Sequence, residues 1–401
     1  MKPFPFFLDT ILQQTFDANV TKTINLNGLG VDLWLAEQGY ASWLEMYLSP
    51  LAKAGSPNEN KKNTWKAGNF FSPEVVSDTA IFLESGVMDW FEVWNGKCHI
   101  RRLFFSPQLV VDFDREYGTV CCYDLENKTV TLVTSAHTSD PVHELGRCIR
   151  DLLTAFMRSR GWELFHAGAV RVGGKICLLP GYSGAGKTSL VVAMLHAGGD
   201  YIANDRVFIK VTGDTVRLKA FPMAAAIGMG TAMQYPQLKH YIQNPWSLKY
   251  PRRRLTPEQV SVNPEQAWEK LPDKLQFFPQ ELIRLMGKGQ IVEGGTIEAV
   301  VLPHISDYQG ASVTPAEVEK VSSILENNVL DPSLDSSTAP WRPFDFPPVK
   351  APSYQTSIEK LLTLPLVDFH FLASRNLLND VRNYSRYLLS TIESMSVAEV
   401  G

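Results

Sequence analysis

Between Pro141 and Met157 the apolar positions Val142, Leu145, Cys148, Ile149, Leu152, Leu153, Phe156 and Met157 recur at three- and four-residue intervals, the spacing that stacks side chains on one face of an α-helix. Asp140-Pro141 supplies an N-cap acceptor and a first helical residue that needs no N–H, and Gly161 closes the segment. The pattern differs on either side. Upstream, short alternating or aromatic runs such as Val31–Leu35, and Lys128–Val133 after the turn-like Glu126-Asn127, predict a β-rich domain over residues 1–140, with a polar loop at Gly55–Asn63. Downstream, Leu164–Val170 and Lys175–Leu179 flank the turn Gly173-Gly174 and predict a hairpin.

Ser189–Leu195 then reads as the start of an apolar helix that ends at Gly198-Gly199, and Tyr201–Ile209 as a strand pair broken by polar residues at its middle. Gly213-Asp214 marks a further hairpin, and the polar, proline-punctuated stretch from Gly230 to Phe278 predicts a lid or an inserted substrate element. Thr314-Pro315-Ala316-Glu317 has the form of a capping box opening a helix to about Leu330. Asp331–Pro352, rich in Ser, Asp and Pro, reads as a surface linker, and the apolar run Leu362–Leu366 and a helix over Asn376–Leu389 follow it. Three parts emerge: 1–140, a core over 141–330, and a linker with a C-terminal segment packing on the core over 331–401. No internal repeat is visible.

A length of 401 residues exceeds a typical single core, so two domains or one enlarged domain are expected. Hydrophobic residues at 45% and charged residues at 20% place the chain among ordinary globular proteins. A formal charge of −4 argues against a nucleic-acid or anionic-membrane surface. The five cysteines form no C-x-x-C pair and read as buried thiols of a reducing compartment. The N-terminal Met1–Asp9 is broken by prolines and an early Asp, unlike a signal peptide, and no run reaches the ~18 apolar residues of a span. The expectation is a soluble cytoplasmic protein.

The chemistry concentrates at Gly181-Tyr182-Ser183-Gly184-Ala185-Gly186-Lys187-Thr188, which satisfies the phosphate-cradling pattern G-x-x-x-x-G-K-[ST]. Its flanks supply the required order of strand, glycine loop and helix. Small residues let the backbone curl so that successive N–H groups face one anion, and the new helix adds its unpaired N–H groups and dipole. Gly181, Ser183, Gly184, Ala185, Gly186, Lys187, Thr188 and Ser189 are therefore the candidate nucleotide-binding residues. Lys187 reaches the β/γ-phosphates and Thr188 holds Mg²⁺ in this pattern. Asp205 follows a short apolar run and is the candidate second Mg²⁺-linked group. Asn127-Lys128 lacks the Asp of a guanine-reading N-K-x-D, because Val130 stands there, and Asp307–Gly310 lies far from the loop for D-x-x-G.

The order Leu-Phe-His166-Ala-Gly-Ala-Val, Gly173-Gly174-Lys175, Leu178–Thr188 and Asn204-Asp205-Arg206-Val207 closely resembles the HPr kinase/phosphorylase superfamily. That superfamily includes the HPr-kinase-like enzymes of peptide natural-product pathways and has phosphoenolpyruvate carboxykinase as a distant relative. The resemblance is strong over roughly 160–210 and weaker at Phe221–Gly230, Lys274–Gly287 and Leu364-Pro365; residues 1–140 show no recognisable resemblance. It implies an α/β fold, with a P-loop core on a mixed sheet of HPr-kinase/PEP-carboxykinase type, joined to the β-rich N-terminal domain. It implies ATP and Mg²⁺ as cofactors, Lys187 and Thr188 as their holders, and His166 at the phosphate or metal site.

In the superfamily an acidic pair follows, the first Asp resembling a general base and the second a metal-linked group. Here the pair is Asn204-Asp205, and an amide takes no proton. Asp205 then serves both tasks, or His166 is the base, or positioning and charge neutralisation suffice for a loose transition state. Arg206 is a candidate for stabilising charge on the transferring phosphoryl group. Lys274 aligns loosely with a basic residue of the superfamily and stays outside the catalytic set; Arg252-Arg253-Arg254 reads as a solvated run or a docking surface for an acidic substrate.

The expected activity is transfer of the γ-phosphoryl group of ATP to a hydroxyl of a peptide, protein or small molecule, with residues 1–140 able to recognise that acceptor. A homo-oligomer is a further expectation, because the superfamily's bacterial enzymes are often oligomers. The alternatives are a catalytically weak nucleotide-binding partner regulating a biosynthetic complex, and a nucleotidyl-transfer or carboxykinase-like enzyme.

Overall fold

A computed structural model describes residues 6–17, 19–37, 39–55, 63–86, 89–94, 99–115, 117–135, 141–243, 274–286, 289–306, 312–330, 344, 354–372 and 377–398. It is a mixed α/β structure in two compact units, Met1–Ser159 with Asp331–Pro348, and Arg160–Leu330 with Val349–Gly401.

The first unit contains α1 (Phe6–Asp17), β1 (Lys22–Leu26), β2 (Leu29–Leu35), α2 (Gly39–Tyr47), β3 (Ala52–Ala54) and β4 (Thr64–Phe71). It continues through α3 (Pro73–Glu84), β5 (Phe91–Trp94), β6 (His99–Ser106), β7 (Leu109–Asp114), β8 (Thr119–Asp124), β9 (Thr129–Thr134) and α4 (Pro141–Ser159). Its nine strands form one sheet in the order β3-β1-β2-β4-β9-β8-β7-β6-β5. The pairs β2–β4 and β4–β9 are parallel, and β5 to β9 form an antiparallel meander. The β-rich reading therefore describes its sheet but misses α1, α2 and α3. Apolar residues of α1 (Phe7, Leu8, Ile11) and α3 (Val75, Val76, Leu83) pack on Leu103, Val111, Phe113, Val120, Cys122 and Val133 of the sheet. For α3 the signal was local, since Ser72 Oγ accepts from Val75 N at 3.2 Å and Pro73 opens the helix.

The amphipathic helix α4 buries Leu145, Cys148, Ile149, Leu152, Leu153, Phe156 and Met157 as the spacing predicts. Because it packs on β4 and β9, the compact unit extends to Ser159, past the 140/141 boundary read from sequence. Phe344, within the stretch read as a surface linker, is buried edge-on against Trp65 and Tyr123.

The second unit opens with β10 (Glu163–Phe165), β11 (Ala167–Val172), β12 (Lys175–Pro180), α5 (Lys187–His196), β13 (Asp200–Ala203), β14 (Val207–Thr212) and β15 (Thr215–Ala220). There follow β16 (Ala225–Gly228), α6 (Met229–Met233), α7 (Pro236–Gln243), β17 (Lys274–Phe277), α8 (Pro279–Met286) and β18 (Gly294–Ser306). The last elements are β19 (Ser312–Pro315), α9 (Val318–Asn327), α10 (Tyr354–Leu361), β20 (Leu366–Leu372) and α11 (Leu377–Ala398). The hairpins at Gly173-Gly174 and Gly213-Asp214 form as expected. The main path is β10-β14-β15-β18-β12-β11-β13, with β20 parallel to β18 and β19 antiparallel to β20.

Alternation along β12 explains how both faces of this sheet are covered. Cys177 and Leu179 join a cluster with α5 and with Leu388 and Ile392 of α11, whereas Ile176 and Leu178 face a second cluster with Val321, Ile324 and Leu325 of α9 and Ile358 of α10. Buried on all sides between these neighbours, α5 is apolar at every position from Leu190 to Leu195.

One local expectation is corrected. Ser312–Pro315 is a strand, held by pairing with β20, and the helix begins at Val318 with Glu317 as its N-cap and no side-chain capping bond. The long-range ladder overrides the capping-box pattern, and the helix stops at Asn327. Of the stretch read as a lid or an inserted substrate element, the described ends in α6, α7 and β17 contribute Ala232, Tyr235, Leu238, Leu275 and Phe277 to the core. Residues 244–273 lie outside the described ones, as do Arg252-Arg253-Arg254, Asp140, Cys98 and Asp307–Gly310. Among the described residues, no helix is long and apolar enough to cross a membrane.

Candidate functional site

The glycine run lies between β12 and α5, as strand, loop and helix. Gly184 (φ +85°) and Gly186 (φ +101°) occupy the left-handed region; a Cβ on Gly186 would also lie 2.7 Å from Ile305 and 2.9 Å from Phe371. With Gly186 as N-cap and no side-chain cap, the first intrahelical bond is Leu190 N to Gly186 O at 2.8 Å. The N–H groups of Lys187, Thr188 and Ser189 in the opening turn are thus not used by the helix ladder.

Lys187 is buried, its ammonium donating to the carbonyls of Gly181 and Tyr182. Burial lowers its pKa, Asp205 opposes that shift, and Lys274 adds to it. An ammonium held by loop carbonyls in a partly desolvated place is suited to meet an anion. Thr188 is half-buried in the first turn of α5, and Ser189 Oγ shares a hydrogen bond of 2.7 Å with Thr231 Oγ1. Tyr182, Ser183 and Gly184 are exposed.

The acidic side of the site arises from an interrupted ladder. Glu163–Phe165 pairs antiparallel with Val207–Ile209, and Ala169 is opposite Ala203, so β10–β11 and β13–β14 form one ribbon with a gap at its centre. His166 and Asn204-Asp205-Arg206 sit at that gap. His166 Nε2 lies 3.4 Å from Asp205 Oδ1, and Arg206 Nε lies 3.4 Å from Asp205 Oδ2. Burial pushes the Asp205 carboxyl upward, but its bond to His166 and the charges of Arg206, His166 and Lys274 outweigh it and hold the group below its usual range. Arg206 also lies over the Phe221 ring at 5.8 Å. Asn204 is 4% exposed and accepts from Tyr201 OH at 3.3 Å, so it packs as a buried hydrogen-bonded amide.

The structure thus brings His166, Asp205 and Arg206 into contact and sets Lys187 in the electrostatic field of Asp205. It adds Lys274, at the start of β17, whose charge acts on both Asp205 and Lys187. The only sequence signal for Lys274 was a loose alignment. A cavity of about 240 Å³ opens beside the loop, bounded by Gly181, Tyr182, Pro303, His304, Lys320 and Ile324 among others.

The donor set fits a Mg²⁺-nucleotide: a hydroxyl at Thr188, a carboxylate held anionic at Asp205, and unused N–H groups with a lysine at the helix start.

No family model matches this chain, and no curated protein matches it. Among solved structures it is similar to the Hpr(Ser) kinase/phosphatase from Coxiella burnetii, at 10% sequence identity and a TM-score of 0.27, over 59% of this chain and 96% of that one.

Proposed function

We propose that this protein is an ATP- and Mg²⁺-dependent phosphotransferase that moves the γ-phosphoryl group to a hydroxyl of a peptide, protein or small molecule. The observation that carries this reading is the joint placement of the uncapped α5 N-terminus with Lys187 and the Asp205–His166–Arg206 cluster, coupled through the field between Lys187 and Asp205. The residue order around His166, the glycine loop and Asp205 supports the same chemistry by its resemblance to HPr kinases.

In this reading the loop N–H groups and Lys187 orient the phosphates, and Arg206 and Lys274 offset charge that builds on the transferring group. Mg²⁺, held by Thr188 and Asp205 when bound, supplies charge neutralisation at the phosphates. The acceptor oxygen forms the new O–P bond, the bond to the leaving diphosphate breaks, and the hydroxyl proton passes to His166, which Asp205 orients. Asp205, a carboxylate held below its usual range, is a poor proton acceptor.

The test is incubation of the purified chain with ATP, Mg²⁺ and candidate acceptors, scored by mass for ADP and for a species gaining one phosphate. Acceptor-dependent turnover that vanishes in Lys187→Ala supports the proposal; acceptor-independent hydrolysis, AMP formation or bound, unchanged ATP argues against it. A second reading, a nucleotide-binding regulator with little catalysis, is favoured by one observation: buried Asn204 occupies the position of the family's base. It predicts that Asn204→Asp creates activity that the native chain lacks.

A further inference from the structure

We propose that His304, Asp368 and His370 form a binding site for a divalent transition-metal ion of zinc type, whose charge is supplied in this structure by the ammonium of Lys320. The placement follows from strand register. His304 of β18 and His370 of β20 are direct partners across a parallel pair, and Asp368 stands two residues before His370. With a period of two, all three side chains leave the sheet on one face. This is the face where Leu302 and Leu366 join the cluster built with α9 and α10.

One ligand atom from each residue can be chosen so that all lie within 4.8 Å of one another. His304 Nε2 is 2.6 Å from Asp368 Oδ1, and the two imidazole rings stack with centroids 4.7 Å apart. A tetrahedral ion with bonds of about 2.0–2.2 Å needs donors about 3.3–3.6 Å apart, and rotating the two imidazoles out of their stack would turn their in-plane lone pairs toward one point. Two imidazoles and a single carboxylate suit zinc, cobalt, nickel or iron, whereas magnesium and calcium ask for oxygen donors. The cluster is thus chemically distinct from the Thr188 and Asp205 pair.

Lys320 is the observation that makes a cation natural here. Its Nζ is 2.8 and 3.0 Å from the two oxygens of Asp368 and 3.4 Å from His304 Nε2. A positive charge is already seated against two of the three donors. The Lys320 side chain is 38% exposed and that of Asp368 12%, so the ammonium can swing into water, and the incoming cation takes its place against the buried carboxylate. The cavity beside the glycine loop has His304 and Lys320 in its wall. It leaves room for a fourth ligand, water or an anion, as an open zinc site requires. Metal binding would therefore release an ammonium beside Gly181 and Tyr182.

The test uses the full chain titrated with Zn²⁺ against a chromogenic chelator, and with Co²⁺ read by its visible absorption, in millimolar Mg²⁺. One equivalent should bind in spite of the Mg²⁺. His304→Ala and His370→Ala should each weaken it at least about 100-fold, the upper end of what losing a mere outer-shell partner costs. Lys320→Met should tighten it about tenfold, because the competing ammonium is gone. Should the alanine variants fail to fold, His370→Gln and Asp368→Asn test the loss, and Lys320→Met tests the gain in an intact cluster. Equal affinity in the native chain and the histidine variants, displacement by Mg²⁺, or no tightening in Lys320→Met would overturn the proposal.

Discussion

His166 Nε2 lies 3.4 Å from Asp205 Oδ1 because both residues occupy the same gap in one antiparallel ribbon, where β10 gives way to β11 and β13 to β14. The pair is therefore held by its own strands on either side and needs no loop to position it. Removing either member should act through the other. His166→Gln and Asp205→Asn should each lower acceptor-dependent turnover by about 100-fold, a common scale for a positioned catalytic group. The double variant should lose far less than the product, with a coupling of about 0.5–3 kcal/mol in a double-mutant cycle. Additive losses would show that the two residues act independently.

Lys187→Ala should abolish ATP-dependent turnover and weaken binding of ATP measured by calorimetry, while leaving the thermal midpoint near that of the native chain. Among the described residues the Lys187 ammonium donates to the carbonyls of Gly181 and Tyr182, so its loss leaves neutral acceptors and no opposing buried charge behind. A large fall in thermal stability would make the lysine a structural clasp of the loop.

Two glycines at the ends of α5 separate backbone strain from crowding. Gly186 (φ +101°) would bring a Cβ to 2.7 Å from Ile305, whereas Gly198 (φ +99°) has open space around that position. Gly198→Ala should cost about 1–2 kcal/mol for the left-handed backbone, and Gly186→Ala at least about 1 kcal/mol more for overpacking. Urea unfolding of both variants compares the two costs directly, and equal midpoints would contradict the crowding at Gly186.

In the first unit, Arg102 and Asp112 face each other across β6 and β7 in a two-pronged pair of 2.6 and 2.8 Å, both side chains nearly inaccessible. Asp112→Ala should destabilise by about 3–5 kcal/mol because it leaves a buried guanidinium without its carboxylate. Replacing both, as Arg102→Met with Asp112→Leu, should recover most of the loss in denaturant unfolding.

Burial pushes the Cys177 thiol up to about 12, and that of Cys122 higher still, with neighbouring carboxylates adding to the shift. A raised thiol pKa disfavours the reactive thiolate at every pH below it. At pH 8 the Cys177 thiol therefore stays protonated. Peptide mapping after iodoacetamide treatment should find both unmodified in the native chain and fully modified in urea; rapid native labelling would contradict their enclosure.

What could be read without coordinates was local. The 3.6-residue period of α4, the glycine turns at Gly173-Gly174 and Gly213-Asp214, and the apolar strand, glycine loop and apolar helix around Lys187 all depend on neighbours in the chain. Such patterns act through backbone preference and one-faced burial, which a short window contains. Asp205 was legible for the same reason, as the polar break in an apolar strand pair.

The tertiary structure decided what depends on distant partners. Thr314 carries a capping pattern but pairs with Asp368 in a strand, because a ladder with β20 outweighs one side-chain cap. Lys274 acts on Asp205 and Lys187 only because β17 is folded near the loop, and alignment of the charge alone said little. His304, Asp368 and His370 meet through the register of β18 against β20, where a shift by one residue would turn one strand's side chains to the opposite face. Sequence by itself determined the pieces whose energetics are short-ranged; the convergence of charges and ligands across strands was settled by long-range pairing, which no local window encodes.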